Sequence, residues 1–205
     1  MKNQPAGPLD EGFTLIELIV AAALTIAILV TIGGLLASAS KAEKSTRAAT
    51  AAATLGQLLA RSITQGVANA TAVTTTTDSV SGAQLLQARV YSLSSSDDPT
   101  QGTTTGVGCQ AWYFDPTNGG AIYMKRVFPA AAIAMPSGAP DSTWELIGSG
   151  LGATVAAAQA STVFATPSGT RVDLKFDVLN GSQEPVHIET TVHVPNPTAV
   201  SAPCF

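Results

Sequence analysis

The sequence predicts an α+β protein: a long N-terminal helix, part membrane span and part amphipathic, packed on an antiparallel β-sheet domain. Three observations predict it. Residues 18–37 form an apolar run without a single charge. Residues 38–61 contain no proline, are rich in the helix former Ala, and lead into leucines at helical spacing. Residues 170–194 hold two runs of alternating apolar and polar side chains on either side of Asn180-Gly181.

The apolar run of twenty residues spans about 30 Å as a helix, the thickness of the bilayer hydrocarbon. An ordinary secretory signal peptide competes with this reading, because Ala37-Ser38-Ala39 forms an A-x-A cleavage site. Against it, the run counted from Phe13 exceeds the usual apolar core of such a peptide, and Glu17 falls inside it. A carboxylate in hydrocarbon costs about 2.5–3.5 kcal/mol on insertion scales, so Glu17 needs a partner. Past the span, Leu55, Leu58, Leu59 and Ile63 form one apolar stripe suited to packing on a sheet. Gly66 is the expected terminator, which gives a helix over residues 13–65. Gly33-Gly34 is an expected point of kinking or stretching within it.

The residues at the start of the run, Gly12-Phe13-Thr14-Leu15-Ile16-Glu17-Leu18-Ile19-Val20, resemble the cleavage and methylation motif of type IV prepilins and type II secretion pseudopilins. The resemblance covers these nine residues and the span that follows; the rest of the chain is similar to the family in layout. It implies a cut between Gly12 and Phe13 by a prepilin peptidase, which also methylates the new N-terminus at Phe13. It implies further that Glu17 serves assembly with other pilin subunits at an inner-membrane platform. The lipid bilayer would hold the helix before assembly. The layout that follows is a leader over 1–12, a membrane and assembly helix over 13–37, its amphipathic continuation over 38–66, and a β-rich head over 67–205. The N-terminus would lie inside and the head outside, before incorporation into a periplasmic or extracellular filament. Counting of basic residues alone predicts the reverse orientation, because Lys2 is alone in the leader while Lys41, Lys44 and Arg47 follow the span.

About 140 residues remain for the head, a common size for one domain. Expected strands cover residues 88–93, 110–114, 121–128, 162–166, 170–178 and 186–194, with a short one at 143–147. In the last hairpin Val172, Leu174, Phe176 and Val178 alternate with Arg171, Asp173, Lys175 and Asp177. Asn180-Gly181 suits a turn that needs positive φ. Asp115-Pro116-Thr117-Asn118-Gly119-Gly120 is a second turn. The Thr/Ser/Ala tract over 67–82 and the polar stretch over 92–108 read as loops, and residues 129–152 as a long irregular connection.

Cys109 and Cys204 are the two cysteines. In an exported domain they pair as one disulfide, worth up to about 4–5 kcal/mol for so long a loop. In the cytosol they would be two buried thiols.

Charged residues make up 12% of the chain, about half the usual share, and the net charge of −4 leaves no basic patch for nucleic acid. No nucleophile elbow, zinc-helix or phosphate-loop pattern occurs, so neither an enzyme nor a cofactor is expected. His187, Glu189 and His193 share a strand face, but the histidines stand about 20 Å apart at strand rise and cannot share a metal ion. Asp97-Asp98 lacks the further oxygens that a calcium loop requires. The sequence thus predicts a pilin-like structural subunit, leaning to a minor pilin or pseudopilin. The alternative is a secreted or membrane-anchored binding domain exported by an ordinary signal peptide.

Overall fold

The structure is a computed structural model that describes residues 14–91, 106–153, 162–181, 183–195 and 204–205. A helix, α1 (Leu15–Ala68), precedes strands β1 (Ala70–Thr77), β2 (Gln84–Tyr91), β3 (Val107–Asp115), β4 (Ala121–Val127) and β5 (Glu145–Ser149). Four more follow: β6 (Leu151–Gly152), β7 (Phe164–Ala165), β8 (Arg171–Asn180) and β9 (Gln183–His193). The α+β class is the expected one. Two compact units, residues 1–47 and 48–205, divide the chain, and α1 contributes to both. Gly12, Phe13 and Asp97-Asp98 lie outside the described residues.

In the first unit α1 passes through Gly33-Gly34 as one continuous helix. A side chain added at either glycine would meet no heavy atom within 4 Å.

In the second unit strands β1 to β5 form an antiparallel sheet in sequential order. Its central strand, β3, is buried on both faces. Trp112 and Phe114 face a main core that also holds Ala52, Leu59, Ile63 and Val67 of α1. The inner face of β8 completes that core with Val172, Leu174, Phe176 and Val178. Cys109, Ala111 and Tyr113 point the other way, into a second core with Leu85, Ile133, Trp144 and Cys204. Of the expected irregular connection over 129–152, residues 129–144 cover this second core through Ile133 and Trp144, whereas Glu145–Ser149 is strand β5 and Leu151–Gly152 strand β6. The expected disulfide is present: Cys109 and Cys204 are bonded with Cα atoms 5.5 Å apart.

Three sequence expectations need correction here. First, α1 does not stop at Gly66 but continues to Ala68. Gly66 is there because a Cβ would lie 2.2 Å from the ring of Trp112. Second, Leu58 is exposed, and the buried stripe consists of Ala52, Gly56, Leu59, Ile63, Gly66 and Val67. Two glycines do the work of apolar residues by letting Trp112, Ile188 and Val178 approach the helix backbone. Third, the tract over 67–82 is mostly strand β1, paired with β2 from Ala70↔Val90 to Thr77↔Gln84. Its threonines are β-branched and suit a pleated surface, while Ala70 and Val73 are buried in the core.

The last hairpin follows the alternation closely. Val172 pairs with Val192 and Phe176 with Ile188 on the core side, and Gly181 takes the positive φ of 57° at the turn.

Candidate functional site: an acid at the start of an exposed apolar helix

Thr14, Leu15, Ile16 and Glu17 form a helix-starting unit. The Thr14 backbone N–H donates to Glu17 Oε2 at 3.2 Å, and the Thr14 hydroxyl donates to the same oxygen at 3.0 Å. In return the Glu17 N–H donates to Thr14 Oγ1 at 3.4 Å. This is a capping box, in which two otherwise orphaned N–H groups are satisfied reciprocally. The carboxylate also sits in the first turn, where the helix dipole favours negative charge. Sequence reasoning singled out Glu17 for its charge and missed Thr14 as its partner. The signal was present in the sequence as Thr-x-x-Glu before an apolar run.

Beyond Glu17 no ionisable side chain appears until Lys41. Every large apolar residue from Leu15 to Leu36 is more than half exposed, the least being Val20 at 53%. A surface of this extent is not left bare in water. The two threonines in the run donate back to their own helix, Thr25 to the Ala21 carbonyl and Thr31 to those of Ala27 and Ile28. Their hydroxyls therefore need no outside partner in hydrocarbon. The helix is long and apolar enough to cross a membrane. Arg47, beyond the run, forms an ion pair with Glu43 one turn before it.

In the second unit the wet face of β8 and β9 carries a ladder of opposite charges. Lys175 meets Glu189 at 2.5 Å, and His187 Nδ1 lies 2.8 Å from Asp177 Oδ1. His187 Nε2 is 3.8 Å from Glu189 Oε2, while His193 stands at the far end opposite Arg171. Asp173 accepts from the Thr191 hydroxyl at 2.8 Å and from Arg171 at 2.9 Å. Burial pushes the Asp173 carboxyl up, but those hydrogen bonds and the charges of Arg171 and Lys175 outweigh it and hold it below the usual value. These cross-strand pairs fix register on a solvated face.

A cleft of about 290 Å³ opens beside the second core, between the turn after β1, the turn after β3 and residues 136–140. Asp78 in the first turn accepts from the Val80 and Ser81 N–H groups and, at 2.5 Å, from the Ser81 hydroxyl. Asp115 in the second accepts from the Thr117 N–H at 2.9 Å and hydroxyl at 2.7 Å. The Ser81 hydroxyl and the N–H groups of Val80 and Ser81 hold the Asp78 carboxyl below its usual range. Tyr113, only 4% exposed, and its cross-strand partner Tyr123 line the same space, with ring centres 6.4 Å apart. Of these cleft residues the sequence marked only Tyr113, which with Trp112 and Trp144 was read as an aromatic of a ligand or partner surface, against core packing as the alternative. The Asp115 turn was visible and Asp78 lay in the tract read as a loop, but their convergence depends on pairing across three strands.

No protein-family profile, no curated protein and no solved structure matches this chain.

Proposed function

We propose that the chain is a pilin-like structural subunit, of minor-pilin or pseudopilin type. A prepilin peptidase cuts it after Gly12, and it assembles through its first helix into a type IV pilus or related filament. One observation carries the reading. Glu17 is the sole ionisable side chain in a helical stretch whose large apolar residues are all exposed, and it stands in the register of the prepilin motif. The cut would create an α-ammonium at Phe13, one residue before the Thr14 N–H that already bonds Glu17 Oε2. Oε1 accepts no hydrogen bond among the described residues, so it is available to that ammonium or to one from a neighbouring subunit. Opposite charges in a low dielectric attract strongly and offset each other's desolvation.

The competing A-x-A site, Ala37-Ser38-Ala39, lies within the hydrogen-bonded backbone of α1. Mass spectrometry of the mature N-terminus separates the two readings. N-methylated Phe13 is the expected result, whereas a start near Lys41 would make the chain a secreted binding domain. Glu17→Ala is expected to be processed yet fail to enter filaments; unchanged incorporation would remove the assembly role from Glu17.

A further inference from the structure

We propose that Lys41 and Lys44 dock on the phosphates of anionic phospholipids, in the interface where the apolar run of α1 leaves the bilayer. The inference rests on the reading of that run as a membrane span and adds the chemistry of the lipid beside it. Two independent observations meet here. The first is the run itself, which is long and apolar enough to cross a membrane and has none of its most apolar window buried. The second is the charge at its end. Four charged side chains follow on residues 41–47, and two of them, Glu43 and Arg47, form an ion pair with each other. Lys41 and Lys44 are exposed, and neither has an ion pair or hydrogen bond among the described residues. The segment therefore carries two uncompensated positive charges and no uncompensated negative one.

Helix geometry places these charges at headgroup depth. Lys41 stands about 36 Å along the axis from Glu17 at the rise of an α-helix. That exceeds the hydrocarbon thickness of about 30 Å and falls short of the roughly 40–45 Å of a bilayer with its headgroups. Glu17 and Lys41 can thus sit at opposite interfaces with neither charge in hydrocarbon. At about 100° per residue, Lys44 lies about 60° around the helix from Lys41 and one turn on, so the two ammonium groups serve one sector. Ser38, three residues before Lys41, falls beside them. Its hydroxyl makes no hydrogen bond among the described residues, whereas Thr25 and Thr31 donate to their own helix. The chemistry of the sector selects the ligand. A lysine presents three donors and no acceptor, and its stem can follow the apolar surface while the ammonium stays at the headgroups. A choline headgroup offers a phosphate but brings its own cation, which repels these two. A glycerol headgroup offers the phosphate with its charge uncompensated.

The test reconstitutes the full chain in nanodiscs of phosphatidylcholine with phosphatidylglycerol as the minor component. Native mass spectrometry then counts the lipids of each kind that stay on the chain, and whether one or more copies share a disc. Phosphatidylglycerol should be enriched about fivefold for each lysine, about thirtyfold for the pair, and less as salt is added. Lys41→Gln with Lys44→Gln should abolish the enrichment, and Lys41→Arg with Lys44→Arg should retain it. Arg126→Gln, which removes an exposed charge of the second unit, should leave it unchanged. Equal retention of the two lipids by the native chain overturns the proposal and leaves the span standing. So does a Gln double variant that keeps the enrichment; if that variant loses only self-association, the lysines face a second copy instead. A chain that enters nanodiscs of neither composition removes the span reading and the proposal with it.

Discussion

The first and second stretches of α1 are built from similar small and apolar residues, yet they meet different surroundings. Between Leu15 and Leu36 every large apolar side chain is exposed; between Ala52 and Val67 the helix buries Leu59, Ile63 and Val67 almost completely. The glycines show the contrast most plainly. Gly33 and Gly34 touch nothing, whereas Gly56 and Gly66 sit where any side chain would strike Ile188 or Trp112. A glycine in the first stretch is therefore a question of helix propensity, and in the second a question of packing. The same residue type has opposite meaning on one helix because only one stretch has a finished core against it.

That contrast can be broken or sharpened by substitution in the full chain. The largest effect is expected from Cys204→Ser, which unlocks the second core and should cost about 2–5 kcal/mol of head stability. Thermal unfolding followed at the tryptophans measures it, and the helicity of the first stretch should not change. Gly66→Ala comes next, at about 3 kcal/mol, because overpacking against Trp112 exceeds the gain of about 1 kcal/mol in helix propensity. Gly33→Ala should show the propensity gain alone, with the head unfolding at an unchanged temperature. If Gly66→Ala behaved like Gly33→Ala, the packing account of the second stretch would be wrong.

A smaller effect involves the wet face of β8 and β9. The folded pKa of Asp173 lies below its ordinary value of 3.8. The unfolded chain therefore binds the proton first as pH falls, and the contribution of Asp173 is fully present above that ordinary value. It is lost as pH drops through the folded value, below 3.8. Asp173→Asn should lower stability near neutral pH by about 1 kcal/mol. It should also flatten the decline in melting temperature between about pH 5 and pH 2.

How far the sequence could be read depended on how many faces of each element were covered. Strands β8 and β9 have one core face and one wet face, so their side chains alternate and their positions were legible to within a few residues. Strand β2 begins four residues before the expected 88, because Leu85 and Leu86 are adjacent yet both buried, one in each core. A strand sandwiched between two cores has no alternation to read. Strand β1 was hidden because threonine occupies both its faces. Gly66 read as a stop because helix signals are local, whereas the ring that demands it comes from β3. At the helix start, composition identified Glu17, while its hydrogen bonds to Thr14 became visible only in the structure. The cleft was illegible for another reason: Asp78 and Asp115 come together only through the pairing of β1, β2 and β3.

The amide of Gln87 reaches both the Ile133 carbonyl, at 2.8 Å, and the Cys204 carbonyl, at 3.1 Å. One side chain of β2 thus ties the covering connection and the C-terminal tail to the sheet at the point where the disulfide ties the tail to β3. The two fastenings answer to different conditions. An oxidising compartment closes both, whereas a reducing one leaves the amide and the aromatic contact of Tyr113 with Trp144 to hold the layer. The outer layer of the head therefore works as a latch with one permanent catch and one redox-dependent catch, and the wall of the cleft is part of what the latch holds shut.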